Sequence, residues 1–209
     1  MRGSVSTKIA RLGVHLLTHP SYLRRYMQQS LLTHKTPLDL EVPWFAYAAI
    51  EFLHNYLKPH MKVAEYGSGG STIFFARRAG FVHAIEDNRE WYERVCRRLN
   101  EKWVANARIA FCPFDFKDPV GFEKSDYLHA LPDEPQDVIS IDSSEEWIQV
   151  RPACFRFAEK RIKPGGIIVL DDSWRYPDVR KKNNARRVQS FQSVGPCRPG
   201  VTSTDVFFY

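Results

Sequence analysis

No apolar run in this 209-residue chain approaches the roughly 18 residues needed to cross a bilayer, so a membrane-spanning reading is excluded at the outset. Cysteine is scarce. The four present (Cys96, Cys112, Cys154, Cys197) are widely spaced and form no C-x-x-C pair. That excludes a zinc-ribbon pattern or a disulfide framework and predicts a reduced, cytoplasmic setting. Internal repeats and low-complexity stretches are missing as well. Near the amino terminus Lys8 and Arg11 precede LGVHLL, but His15 interrupts that run and no small-residue cleavage pattern follows, so no signal peptide is expected.

What is present is the composition of an ordinary soluble protein, 44% hydrophobic and 26% charged. The length allows one to two domains with a full core. The net charge is +6, and seven basic residues from Arg175 to Arg198 crowd the carboxyl end. Such a patch suits a phosphate, a carboxylated substrate or nucleic acid, or is a solvated helix face. It lacks the interleaved aromatics of a base-stacking surface.

Apolar strand-like runs recur near 62–66, 81–86, 108–113, 137–142, 166–171, 190–195 and 203–209. Helical segments are predicted at 43–58, 71–79, 88–103, 145–162 and 177–188. This alternation predicts an α/β architecture, and runs such as DVISID and GIIVLDD read as central parallel strands covered on both faces. Pro37 and Pro43 should break helices. Residues 1–42 are expected to form a helical extension, either a lid or a packing element, before a single domain at 43–209.

The stretch KVAEYGSGGST (62–72) carries the most information. Val63, Ala64 and Tyr66 make a short strand that leads through Glu65 into Gly67, Ser68, Gly69 and Gly70. Ser71 and Thr72 then open a helix. A glycine bend between strand and helix lets main chain approach a nucleotide-like ligand with no Cβ in the way. The next strand ends in Glu86 and Asp87, and Glu86 lies 19 residues after Gly67. That is the offset at which an acid takes ribose hydroxyls in a nucleotide-binding βαβ unit. The dinucleotide pattern G-x-G-x-x-G is incomplete, because Thr72 stands where its third glycine would be. Glu65 would repel a pyrophosphate, but it suits a cationic or zwitterionic ligand. A nicotinamide-dependent oxidoreductase is therefore the disfavoured rival.

An acidic residue followed by G-x-G resembles motif I of the class I S-adenosylmethionine-dependent methyltransferases. ISIDSSEEW and KPGGIIVLDDSWRY look like that family's fourth and fifth strand motifs, so the resemblance runs from about residue 62 to 176. It implies a Rossmann-like, doubly wound sheet of seven mostly parallel strands with an antiparallel last strand, which the terminal run TSTDVFFY suits. It also implies S-adenosylmethionine as cofactor, with Glu65 and Gly67 to Gly70 around the methionine part and Glu86 on the ribose. Ser68, Ser71, Thr72 and Asp87 would complete that site. Trp91 would stack on adenine and Asp115 would contact it.

Asp142 is the first candidate for the cofactor's ammonium or for the general base, its alternative being a cap on Ser143 and Ser144. Asp171 and Asp172 would orient the substrate or Arg175, or serve as base. The same three aspartates sit where catechol-type O-methyltransferases hold magnesium. This chain has Asp where that family has Asn, so no metal is assigned. Asp126, Tyr127 and His129 are further substrate candidates, and Trp44, Phe45, Trp147 and Trp174 are candidate pocket walls. The missing N-P-P-Y motif disfavours base methylation of DNA. The expected reaction is methyl transfer to a small molecule, at oxygen before nitrogen or carbon. Neither a nucleic-acid partner nor a membrane span is expected, and a homo-oligomer stays open.

Overall fold

A computed structural model describes residues 5–209. Residues 1–4 of the expected extension, and the side chain of Lys8 in its basic stretch, lie outside the described residues. The chain begins with α1 (Val5–Thr18) and α2 (Ser21–Tyr26), which runs into a π turn at Met27–Leu31. Two more helices follow, α3 (Pro37–Leu40) and α4 (Tyr47–Tyr56). Then come β1 (Lys62–Tyr66), α5 (Gly70–Ala76), β2 (Phe81–Glu86), α6 (Arg89–Glu101) and β3 (Ala107–Phe111). The second half runs α7 (Asp126–His129), β4 (Gln136–Ile141), α8 (Val150–Ala158), β5 (Ile162–Asp171), α9 (Pro177–Lys181), β6 (Arg187–Val194) and β7 (Val201–Phe208).

The seven strands form one sheet in the order β3-β2-β1-β4-β5-β7-β6. β7 runs antiparallel to both of its neighbours, and the β1, β2, β3, β4 and β5 pairings are parallel. This is the doubly wound sheet with a reversed last strand that the sequence predicts. The order reverses between β1 and β4, so a crevice opens beyond their carboxyl ends.

The strands are apolar on both faces because both are covered. Ala64, Tyr66, Ile139, Ile141, Ile168 and Leu170 point to one layer, with α7 and α8. Val63, Val138, Ile167 and Val169 point to the other, with Phe45, α4 and Phe75 of α5. Glu65 falls between Ala64 and Tyr66, so the two-residue period aims it at the second layer, toward α5. The amino-terminal segment belongs to the same packing: Tyr26 is buried against that layer, and Leu38 packs with Ile73, Val95 and Leu99.

Three expected boundaries change for physical reasons. The helix expected at 177–188 ends at Lys181, because the Asn183 side-chain amide donates to the carbonyls of Val179 and Arg180, both at 2.9 Å. The helix expected from 145 begins at Val150, after a loop whose Ser143 carbonyl is bound by Arg151. Pro37 starts a helix instead of breaking one. It occupies the first turn of α3, where its missing N–H costs nothing, behind Thr36, whose hydroxyl and main chain trade hydrogen bonds with Asp39.

Candidate functional site

The crevice holds a cavity of about 570 Å³ whose walls include Gly67, Ser68, Gly69, Ser71, Glu86, Asp87, Trp91, Asp142 and Asp172. With Gly70 and Trp44, eleven of the expected site residues thus meet at one place. Arg151 and Arg198, with Thr36, Pro37, Val42 and Trp44, complete much of the wall.

The glycine bend is built for two kinds of closeness. A Cβ on Gly67, whose φ is +96°, would lie 2.6 Å from the Asp142 carbonyl oxygen. One on Gly70 would lie 2.3 Å from the Pro37 carbonyl oxygen and 2.4 Å from that of Val42. Both contacts are with the protein's own backbone. Gly69 differs: its added Cβ would meet only the Trp91 ring, at an ordinary 3.6 Å, on the cavity wall. Trp91 is held there by its indole N–H, which donates to the Ser68 carbonyl at 2.7 Å.

Glu65 and Thr72 do not line the cavity. Glu65 is 2% exposed and accepts the Thr72 hydroxyl at 2.5 Å. That hydroxyl oxygen in turn accepts the Gly69 N–H at 3.0 Å, so both residues brace the bend from behind. Both were expected around the cofactor, Glu65 directly or indirectly; the structure places them behind the bend, one layer from the cavity wall. The signal was present, since strand alternation turns Glu65 away from the face of Ala64 and Tyr66. Burial pushes Glu65 up to about 8, against the pull of the Thr72 hydrogen bond.

Glu86 is buried at the edge of the cavity. It accepts the Ser68 N–H and hydroxyl, at 3.0 and 2.7 Å, and the Asn88 N–H at 3.1 Å. Burial raises its pKa against those three donors. Asp87, beside it on the wall, is pushed up to about 7 by burial and by the Glu86 charge.

Across the cavity the acids are paired with arginines. Arg151, buried in α8, bonds Asp142 at 2.8 Å and also donates to the carbonyls of Ser143 and Asp171. Burial lifts Asp142 to about 6, with Arg151 and Arg198 opposing. Arg198 bridges Asp171 at 2.6 Å and Asp172 at 2.7 Å. Asp172 has a left-handed φ of 47° and also accepts from Thr202 and from the Trp174 indole. Burial works against its charge, but Arg198 and Thr202 prevail and hold it near 2.

Asp171 is 0% exposed, bonded to Arg198 and Thr204, and off the cavity wall. Expected to orient the substrate or Arg175 or to act as base, it is placed by the structure against Arg198 instead of Arg175. Guanidinium groups thus occupy the carboxylates that the magnesium resemblance would assign to a metal. Among the described residues no group of three or more His, Cys, Asp and Glu is arranged to hold an ion.

A second cavity of about 320 Å³ shares Trp44, Glu145, Asp172 and Arg198 with the first and adds Arg11, Trp174, Arg175 and Val201. Arg175 pairs with Glu145 and lies over the Trp174 ring. Arg198 lies 5.1 Å from the Trp44 ring centre. The carboxyl-terminal basic cluster is therefore partly neutralised, with Arg180 bound to buried Asp205 as well. Arg151, Arg198 and Glu145 were missed as site residues in the sequence. Arg151 comes from the first turn of α8 and Arg198 from a distant loop, and neither pairing belongs to a motif read in the sequence.

Other candidates lie elsewhere. Asp115 is exposed and caps a turn through the Lys117 N–H, Tyr127 is buried in the α7–α8 layer, and Asp126 is exposed. His129 packs edge-on against Phe157. Phe45 is core, and Trp147 packs against the first layer.

No protein-family model matches the chain, and no curated protein matches it by sequence. Solved structures do match. Cofactor-bound Rv0187 from MTB is similar at 20% identity and a TM-score of 0.61, over 89% of this chain and 95% of that one. The O-methyltransferase TomG from Streptomyces achromogenes, involved in tomaymycin synthesis and solved in complex with SAM, is similar at 20% identity and a TM-score of 0.61. That match covers 96% of this chain and 97% of the other. An rRNA methylase from Streptococcus thermophilus matches at 12% identity and a TM-score of 0.57, over 84% and 98%. The chain has the fold that these proteins share.

Proposed function

We propose that the chain is an S-adenosylmethionine-dependent methyltransferase that methylates a hydroxyl oxygen of a small molecule. The observation that carries this reading is the opening at Gly69. It faces Glu86, Asp87 and Asp142 across one cavity, and a side chain there would take ligand space without meeting backbone.

The wall chemistry fits the cofactor. Glu86 and Asp87 suit a sugar diol and a cationic neighbour, since no Lys or Arg pairs with either among the described residues. The Trp91 ring, fixed by its bond to Ser68, offers a flat face to a base. Thr36, Pro37 and Val42 form the wall beside Gly70, which supports a lid role for the extension at 1–42 over the domain at 43–209. When bound, the cofactor supplies an electrophilic methyl group on a sulfonium.

Asp142, with its pKa near 6, is ionised at neutral pH and takes the acceptor's proton as general base. Arg151 fixes its direction. Arg198 holds Asp172 at the border with the second cavity, where Trp44 and Trp174 would frame an acceptor of modest size. The four unpaired cysteines support a reduced, cytoplasmic setting.

Calorimetric titration tests the reading directly. S-adenosylhomocysteine should bind and a reduced nicotinamide dinucleotide should not. The reverse pattern would overturn the assignment.

A further inference from the structure

The first 38 residues contain six of the chain's 30 Lys and Arg and none of its 24 Asp and Glu, so residues 39–209 balance at 24 of each. The whole net charge of +6 therefore sits in that short segment. The same segment holds seven of the thirteen large apolar side chains that are exposed among the described residues. Charge of one sign and unburied aliphatic surface coincide in that segment.

On α1 the geometry is explicit. Leu12 and Leu16 turn inward and pack on the layer beneath the sheet. Ile9, Ala10, Gly13, Val14 and Leu17 recur at three- and four-residue intervals and fill an outward arc of about 140°. Ile9 is 63% exposed, Val14 62% and Leu17 82%. The stacked rings of His15, His19 and Tyr22 join α1 to α2. Beyond that junction Leu23, Met27 and Leu31 continue exposed at four-residue spacing, followed by Leu32. Arg24 is exposed beside them, while Arg25 is shared with Glu51 at 3.6 Å.

We propose that residues 9–32 are an interfacial membrane-docking surface, seated on an anionic phospholipid bilayer through the outer face of α1. Aliphatic side chains enter the headgroup boundary while the exposed Arg24 meets lipid phosphate and the net positive charge of the segment draws the chain to the anionic surface. Surface seating is the geometry available, because no described helix is long and apolar enough to cross a membrane.

A second copy of the chain is the poorer occupant, since it would bring two uniformly positive segments face to face. A nucleic acid is poorer too. It would be met by aliphatic side chains, while the aromatic Tyr26 is buried and Tyr22 lies in the ring stack. Arg11 on this helix also lines the second cavity, so docking would present that cavity beside the lipid surface.

Co-sedimentation of the full chain with vesicles tests the proposal. The chain should pellet with phosphatidylcholine vesicles that carry phosphatidylglycerol, and far less with phosphatidylcholine alone. The double variant I9E/L17E should lose about tenfold or more of that affinity with its thermal midpoint unchanged, both positions being exposed. Leu17→Glu alone carries the same test if the double variant does not fold, and Arg24→Glu should weaken binding most at low salt. Failure to pellet with the anionic vesicles, or full retention by I9E/L17E, would overturn the proposal. So would a dimer that I9E/L17E dissolves, or binding of single-stranded RNA, when vesicles are left unbound. None of these readouts needs cofactor or acceptor, so the result stands apart from the methyltransferase reading.

Discussion

The two sides of the crevice treat buried carboxylates in opposite ways. On the β1–β2 side, Glu65 and Glu86 are held by hydroxyls and main-chain N–H groups from Thr72, Ser68 and Asn88. On the β4–β5 side, Asp142, Asp171 and Asp172 are held by Arg151 and Arg198. Burial pushes Glu65 up to about 8 against its hydrogen bonds, and burial with the Glu86 charge pushes Asp87 to about 7. On the other side burial also pushes Asp171 up to about 8 despite Arg198, while Arg198 and Thr202 hold Asp172 near 2. The first side is thus poised for a ligand that brings positive charge or hydroxyl donors. On the second side two guanidinium groups already face the acids.

The largest effect is expected at Gly69. Gly69→Asp adds bulk and a further negative charge to the uncompensated side, and should reduce S-adenosylhomocysteine affinity by about a thousandfold or more, read by calorimetry. Affinity within threefold of wild type would mean that the ligand does not approach this bend. Asp142→Asn removes the charge that Arg151 faces. It should lower kcat by about 10² to 10⁴ while cofactor affinity changes little. The wild-type rate should rise with pH through about 6 and then level, as Asp142 ionises. Equal losses in kcat and cofactor affinity would make Asp142 a cofactor ligand instead.

Stability separates the two sides further. Arg198→Met leaves buried Asp171 unpaired and should cost about 3–5 kcal/mol in denaturant unfolding, whereas Ser68→Ala, which removes one neutral donor from Glu86, should cost about 1 kcal/mol. Similar costs would erase the distinction. The smallest effect is in a slope. Glu65 has a folded-state pKa raised from 4.5 to about 8, so the folded chain holds a proton that the unfolded chain releases. Its contribution is fully present below 4.5 and is lost as pH rises toward 8. Glu65→Gln should flatten the fall of the melting temperature across that window. A parallel fall in both proteins would place the cause elsewhere.

The centre of the sheet was largely legible because β1, β2, β4 and β5 are apolar runs with an acid at or beside their carboxyl ends, and those acids mark the edge where the crevice forms. The bend and its partner Glu86 were legible because a βαβ unit fixes their spacing. The orientation of Glu65 was readable from strand alternation but was overridden by the motif. Arg198 was not readable as a site residue. It reaches Asp171 and Asp172 across 27 and 26 residues, from a loop that only tertiary packing locates. The exposed position of Asp115, which accepts the Lys117 N–H, was not legible because no local pattern signals how the loop after β3 turns.

The unequal duties of the three glycines bear on how such bends evolve. Under selection for folding alone, positions 67 and 70 would stay invariant, because neighbouring carbonyl oxygens leave no room for a methyl group. Position 69 would drift freely under the same selection, since alanine fits there. Its retention across descendants would therefore record continued use of the crevice, and its loss would date the moment that use ended.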